Sequence, residues 1–302
     1  MKYSNITRSL FAAALVVGFS TAAFGQATRT WVSGTGSDAN PCSRTAPCQT
    51  FSGALIKTAT HGEISALDPG GFGTININKG ITLNGTGTLA SILASGTTGV
   101  IVNAPATDTV IVRDISINGA NTGTNGVRYL AGKALTLDHV WIYGFNGATG
   151  RGIDMNLTNN GNLRVIDSRI QNVLEDGIRV NTTVGLAEAA IIRSHIMDCG
   201  GDGIEVLANA RVGVFGSQIF HSTGNGVNAT GLGSATNLDD VFISNNATGI
   251  RNAASSTRVS DSIIANNSTG LSVIGGTIDS FQGNSLIGNS VPGAFSTTTL
   301  KQ

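Results

Sequence analysis

Gly177-Ile178-Arg179-Val180 and Gly203-Ile204-Glu205-Val206 carry one pattern twice, 26 residues apart. A glycine is followed by an apolar residue, a charged one and an apolar one. The same start recurs at Gly99-Val100, Gly126-Val127, Gly152-Ile153, Gly226-Val227, Gly249-Ile250 and Gly270-Leu271, so the period drifts between 21 and 27 residues. Alternation with period two marks a strand with one buried face. A second alternating stretch lies midway, at Val110/Val112, Leu135/Leu137, Leu163/Val165 and Val212/Val214. A third ends in Ile117, Ile142, Ile170, Ile196, Ile219, Ile243, Ile264 or Ile287, often three residues after an Asp, as at Asp114, Asp167, Asp240 and Asp261. Each period therefore holds three short strands and three turns. One period cannot bury its own apolar face, so the periods stack, each strand pairing in parallel with its copy one rung away. At about 4.8 Å per rung, nine or ten rungs make a rod of roughly 45 Å.

Composition agrees with that reading. The 302 residues contain 41 Gly but only 5 Pro, 12% charged and 5% aromatic residues, with Lys+Arg and Asp+Glu both at 18. A balanced charge argues against nucleic-acid binding. The low Pro count excludes collagen, and the low share of Glu and Lys excludes a coiled coil. Leu is too sparse for a leucine-rich repeat, and a propeller needs about 40 residues per blade.

The N-terminus reads as a secretory leader. Lys2 and Arg8 precede the apolar run 10–19, which is too short to cross a bilayer, and Ala23-Phe24-Gly25 supplies small residues for a cut after Gly25. The mature chain is then expected outside the cytoplasm, periplasmic or extracellular, with no membrane insertion. In an oxidising compartment Cys42 and Cys48 are expected to close a short disulfide loop, since zinc would need four ligands and none are nearby. Cys199 is left as a buried thiol.

With this repeat, the chain resembles the secreted right-handed parallel β-helix proteins of the pectate-lyase-like superfamily. The resemblance covers about residues 62–295. It extends to residues 50–59, which read as a short amphipathic helix capping the first rung, and to the strand and turn that open at Gly62-Glu63-Ile64. It implies an all-β fold divided into leader (1–25), disulfide loop and capping helix (26–61), β-helix (62–295) and polar tail (296–302). It also implies action on, or binding of, polysaccharide, since the superfamily includes pectate lyases, polygalacturonases, pectin methylesterases and epimerases, beside adhesins and scaffolds without activity. The polygalacturonase set of Asp-Asp, Gly-His-Gly and Arg-x-Lys does not occur, nor does the Arg-x-x-Arg of pectate lyases. No catalytic residue is carried over.

Candidate residues come from the outward columns. Two after each glycine stand Ile101, Arg128, Asp154, Arg179, Glu205, Asn228, Arg251 and Ser272, a column whose middle alternates in sign and reads as an ion-pair ladder. Immediately before the glycines stand Asn125, Arg151, Asp176, Asp202 and Asn225. Asp176 and Asp202 fall on adjacent rungs. Such a pair serves as acid and base for glycoside cleavage or holds Ca²⁺ for a lyase, with Arg179 as base or carboxylate clamp. It is equally ordinary Asp-Gly turn chemistry. On the third strand Trp141, Tyr143, Phe220 and Phe242 point outward as a sugar platform, unless a turn covers them. His195 shares that strand as a candidate acid or base. Glu205 completes the expected groove as a substrate contact. Asn residues before the glycines (Asn225, Asn245/Asn246, Asn266/Asn267 and Asn289) are expected to stack in amide ladders. Two functions fit: a protein that binds and, as lyase or hydrolase, cleaves extracellular polysaccharide, or a non-catalytic surface rod.

Overall fold

A computed structural model describes residues 25–300. The leader lies outside these residues up to Phe24. Among the described residues the chain winds through three parallel sheets of twelve, nine and ten strands. The strands that begin at the glycines build the nine-stranded sheet, from Ile75–Ile77 through Ile178–Thr182 and Ile204–Val206 to Thr269–Val273. The midway stretches build the twelve-stranded sheet and the isoleucine strands the ten-stranded one. Nine strands in the first sheet correspond to about nine turns of the coil.

The register is the one the repeat requires. Val100, Val127, Ile153, Ile178, Ile204, Val227, Ile250 and Leu271 stand in one line. All are buried in the single core that runs along the axis. The column of Ile117 to Ile264 does the same on the ten-stranded sheet, with one correction at its end. Leu286, not Ile287, pairs with Ile264, and Ile287 is exposed.

None of the eight repeat glycines has a positive φ. They are required by close approach instead. A Cβ on Gly126 would stand 2.3 Å from Cγ2 of Ile142 and 2.6 Å from the carbonyl of Gly152. The same contact joins Gly99 to Ile117, Gly152 to Ile170, Gly177 to Ile196, Gly203 to Ile219, Gly226 to Ile243 and Gly249 to Ile264. The glycine column and the isoleucine column are thus one packing device. Left-handed backbone occurs at the tight turn before each isoleucine strand, where Asp114, His139, Asp167, Arg193, Asp240 and Asp261 have φ between 46° and 55°. Asp tolerates this conformation better than most residues, which explains its recurrence there.

Side-chain ladders follow the axis. Asn246 donates Nδ2 to Oδ1 of Asn267 at 3.1 Å, and Asn267 to Oδ1 of Asn289 at 3.0 Å. Asn225 belongs to a different column, and Asn245 and Asn266 adopt positive φ. Ser168, Ser194 and Ser217 each accept a backbone N–H from the preceding rung.

The ends differ from expectation in detail. The N-terminal helix is only Phe51–Leu55, N-capped by the Thr50 hydroxyl, which accepts from Gly53 N at 2.9 Å. The predicted helix stopped too late, because Thr58–Ala66 is the first long strand. Phe51 packs edge-on against Phe72 at 5.2 Å. Ala27–Val32 adds a parallel strand in front of Thr58–Ala66. Cys42 and Cys48 form a disulfide beside it. At the other end Gly270 and Leu271 donate N–H bonds to Val291 and Pro292, and Thr297–Thr298, the last strand of the twelve-stranded sheet, pairs with Thr277–Ser280. Phe295 packs on the end of the core. No helix among the described residues is long and apolar enough to cross a membrane.

Candidate functional site

The charged column two after the glycines stands in register as read from the sequence. Arg128 faces Asp154, Asp154 faces Arg179, Arg179 faces Glu205, Glu205 faces Asn228 and Asn228 faces Arg251. Asp154 is 3% exposed although it points outward, because guanidinium groups cover it. It accepts from Nε of Arg179 at 2.9 Å and lies 3.6 Å from Nε of Arg128. The expected ion-pair ladder is therefore present across these three rungs. Arg179 is thereby tied to a buried carboxylate through its Nε.

Asp176 and Asp202 lie at the corner between the ten- and nine-stranded sheets. Each is 8% exposed. Asp176 accepts from Nε of Arg151 at 3.0 Å and from the backbone N–H of Asp202 at 3.0 Å. Arg151 also pairs with Glu175. Burial works against the Arg151 charge, but Asp176, Glu175 and Asp154 outweigh it and hold the guanidinium protonated. Asp202 accepts from the backbone N–H and Nδ2 of Asn225, both at 2.7 Å, and from Nδ2 of Asn228 at 2.6 Å. The two carboxylates are adjacent as expected, yet every oxygen is engaged by an N–H donor.

This donor set does not fit Ca²⁺. The oxygens that would ligate the ion already accept from Arg151, Asn225 and Asn228, and a guanidinium stands against Asp176. A second cluster, Asp138, His139 and Asp167, has ligand atoms within 4.8 Å of one another. Both oxygens of Asp167 accept from Arg193 at 2.7 Å, so a cation already sits there.

Glu205 is different. It is half-buried, and no hydrogen bond reaches its carboxyl among the described residues. Burial pushes its pKa up to about 7, helped by the charges of Asp176 and Asp202 and opposed by Arg179 and Arg151. A carboxyl that is protonated near neutrality and faces outward is suited to proton donation. The sequence places Glu205 among substrate contacts and the chemistry on Asp176, Asp202, Arg179 and His195. The available signal was its place in the alternating column, one rung from two carboxylates.

The aromatic residues lie on the ten-stranded sheet. Trp141 and Tyr143 stack at 4.4 Å with an interplanar angle of 29°, and Trp141 keeps 42% exposure. Phe242 is 38% exposed and Phe220 half-buried, edge-on to His221 at 5.4 Å. Arg169, His195 and Gln218 separate Trp141 from Phe242 along the column. The two pairs of rings are therefore separate patches. His195 is exposed, and no hydrogen bond or ion pair among the described residues joins it to Asp176, Asp202 or Glu205. Cys199 is buried below the corner, where burial and the Asp176 charge push its thiol up and keep it inert.

Residues 151–299 match the family described as the right handed beta helix region. With the coil described above, that decides the class. The chain is a right-handed parallel β-helix protein. Pectate lyase Pel9A superposes on this β-helix with a TM-score of 0.54, covering 90% of this chain and 78% of its own at 15% identity. The GH136 lacto-N-biosidase from Eubacterium ramulus does so with a TM-score of 0.52, covering 91% and 67% at 10% identity. At such identities the β-helix protein shares a fold with them and no more. No curated protein matches its sequence.

Proposed function

We propose that this β-helix protein is secreted and binds an extracellular polysaccharide along the outward face of the nine-stranded sheet, with Glu205 as the proton-carrying group for glycoside cleavage. The observation that carries this reading is Glu205 itself, an outward carboxyl without a partner, beside two carboxylates whose oxygens are all engaged. Asp176 and Asp202 act on it through their charge, and Asp202 also holds Asn225 and Asn228 in place. Arg179 and Asn228 flank it one rung to each side, and Arg179, only partly buried, offers donors to sugar hydroxyls. The exposed face of Trp141 adds a stacking surface on the neighbouring sheet. The two solved neighbours, a pectate lyase and a lacto-N-biosidase, support a saccharide as the partner class. The disulfide supports an oxidising compartment.

The test is a polysaccharide panel. Retention on at least one polymer and release of new reducing ends are expected, with Glu205→Gln losing the release and keeping the retention. Trp141→Ala is expected to weaken retention. Retention without new ends removes the cleavage and leaves the binding. A flat panel with folded protein removes both and favours a structural rod, the reading that the fully engaged Asp176 and Asp202 also support.

A further inference from the structure

Four arginines stand on or beside the outward face of the nine-stranded sheet. Three have carboxylate partners: Arg128 and Arg179 share Asp154, and Arg151 pairs with Glu175 and Asp176. Arg251 is the exception. Among the described residues no carboxylate lies within ion-pair distance of it. Its Nη1 donates to Oδ1 of Asn228 at 2.8 Å, and Asn228 in turn donates Nδ2 to Asp202. Asn228 is itself buried, so one end of the guanidinium is fixed. Its Nε and Nη2 have no protein acceptor among the described residues. That edge of the fork matches an oxyanion with two acceptors.

Arg251 stands two rungs beyond Glu205 in the same column, about 10 Å at the usual strand spacing. The charges at the two places are opposite. Around Glu205 the charges of Asp176 and Asp202 act more strongly than those of Arg179 and Arg151, so the balance there disfavours an anion. At Arg251 a cation waits without a counter-charge.

We propose that Arg251 is a subsite for an acidic group of the bound glycan, a carboxylate or a sulfate ester, while the sugar unit at Glu205 is neutral. This rests on the reading of that face as a glycan site. The ligand is then a heteroglycan with its acidic groups spaced apart, and a polymer of uronate alone is a poor fit because it sets a carboxylate against the acidic corner.

Binding of the full chain to five polymers tests this. The polymers are a glycan of alternating neutral and uronate units, its carboxyl-reduced form, a glycan with spaced sulfate esters, its desulfated form, and a homopolymeric uronate. At least one acidic polymer is expected to bind about tenfold more tightly than its neutral form, as a charge-assisted bidentate contact gives. Whichever pair shows the effect supports the subsite and names its acidic group. Arg251→Gln should erase that difference while keeping affinity for the neutral form, and Arg251→Lys should keep part of it. Equal binding of acidic and neutral forms, or a preference that survives Arg251→Gln, overturns the subsite alone. So does a homopolymeric uronate that binds as tightly as the spaced polymers. Absence of binding to all five polymers overturns the glycan reading of the face and the subsite with it.

Discussion

Cγ2 of Ile196 lies 2.5 Å from the place a Cβ on Gly177 would occupy, and the carbonyl of Gly203 lies 2.7 Å from it on the other side. Gly177→Ala therefore forces the ten-stranded sheet away from the nine-stranded one at that rung. A loss of about 1–3 kcal/mol is expected in urea unfolding, the usual cost of overpacking. Combined with Ile196→Ala, the loss should be smaller than the sum of the two single losses, because the second change removes the methyl that the first collides with. Additive losses would show that the two columns do not interlock.

Asn267 has a comparable role in the polar stack. Its Oδ1 accepts from the backbone N–H of Asn246 at 2.9 Å and from Nδ2 of Asn246 at 3.1 Å. Asn267→Ala leaves both donors buried without that acceptor. Denaturant unfolding should show a loss of about 1–3 kcal/mol, well above that of an exposed Asn→Ala change.

Glu205 gives stability a pH dependence. Its pKa in the folded chain, about 7, lies above the ordinary 4.5. The folded state therefore favours the protonated carboxyl. The stabilising contribution is complete below about pH 4.5 and is lost as pH rises through about 7. Glu205→Gln, which stays neutral, should raise the melting temperature relative to the parent at pH 8 and change it little at pH 4.5. An equal shift at both pH values would place the carboxyl in an environment unlike the one described.

Arg179 covers a buried charge. Arg179→Gln leaves Asp154 with Arg128 alone, 3.6 Å away, and should cost about 2–3 kcal/mol in thermal or urea unfolding. Adding Asp154→Asn should restore part of that loss, since the uncompensated charge disappears. A double variant no more stable than Arg179→Gln would mean that packing of the Arg179 stem, not its charge, matters.

The coil was legible because its signals are local. Val100, Val127 and Ile153 declare their inward face by alternation, and the glycines give the period without reference to any distant residue. The short helix at Phe51–Leu55 was overextended because residues 56–59 suit helix or strand alone, and pairing of Thr58–Ala66 with Ala27–Val32 decides for strand. The glycines themselves left two roles open, a positive φ or a close contact. Only the position of the isoleucine strand decided for contact.

The candidate site divides the same way. Alternation along each strand and the glycine period are enough to set the columns, so Arg128, Asp154, Arg179, Glu205, Asn228 and Arg251 share one face in that order. The sequence by itself also determined that Asp176 and Asp202 are neighbours. Which carboxylate is open and which cation is unpaired was decided only in the tertiary structure. Donors and acceptors are shared out between rungs: Asn225 and Asn228 go to Asp202, Arg151 to Asp176, and Arg179 to Asp154. Strand register follows from a side chain's own period of two. Its hydrogen-bond partners depend on competition among residues some 25 positions apart, which no single stretch of sequence contains.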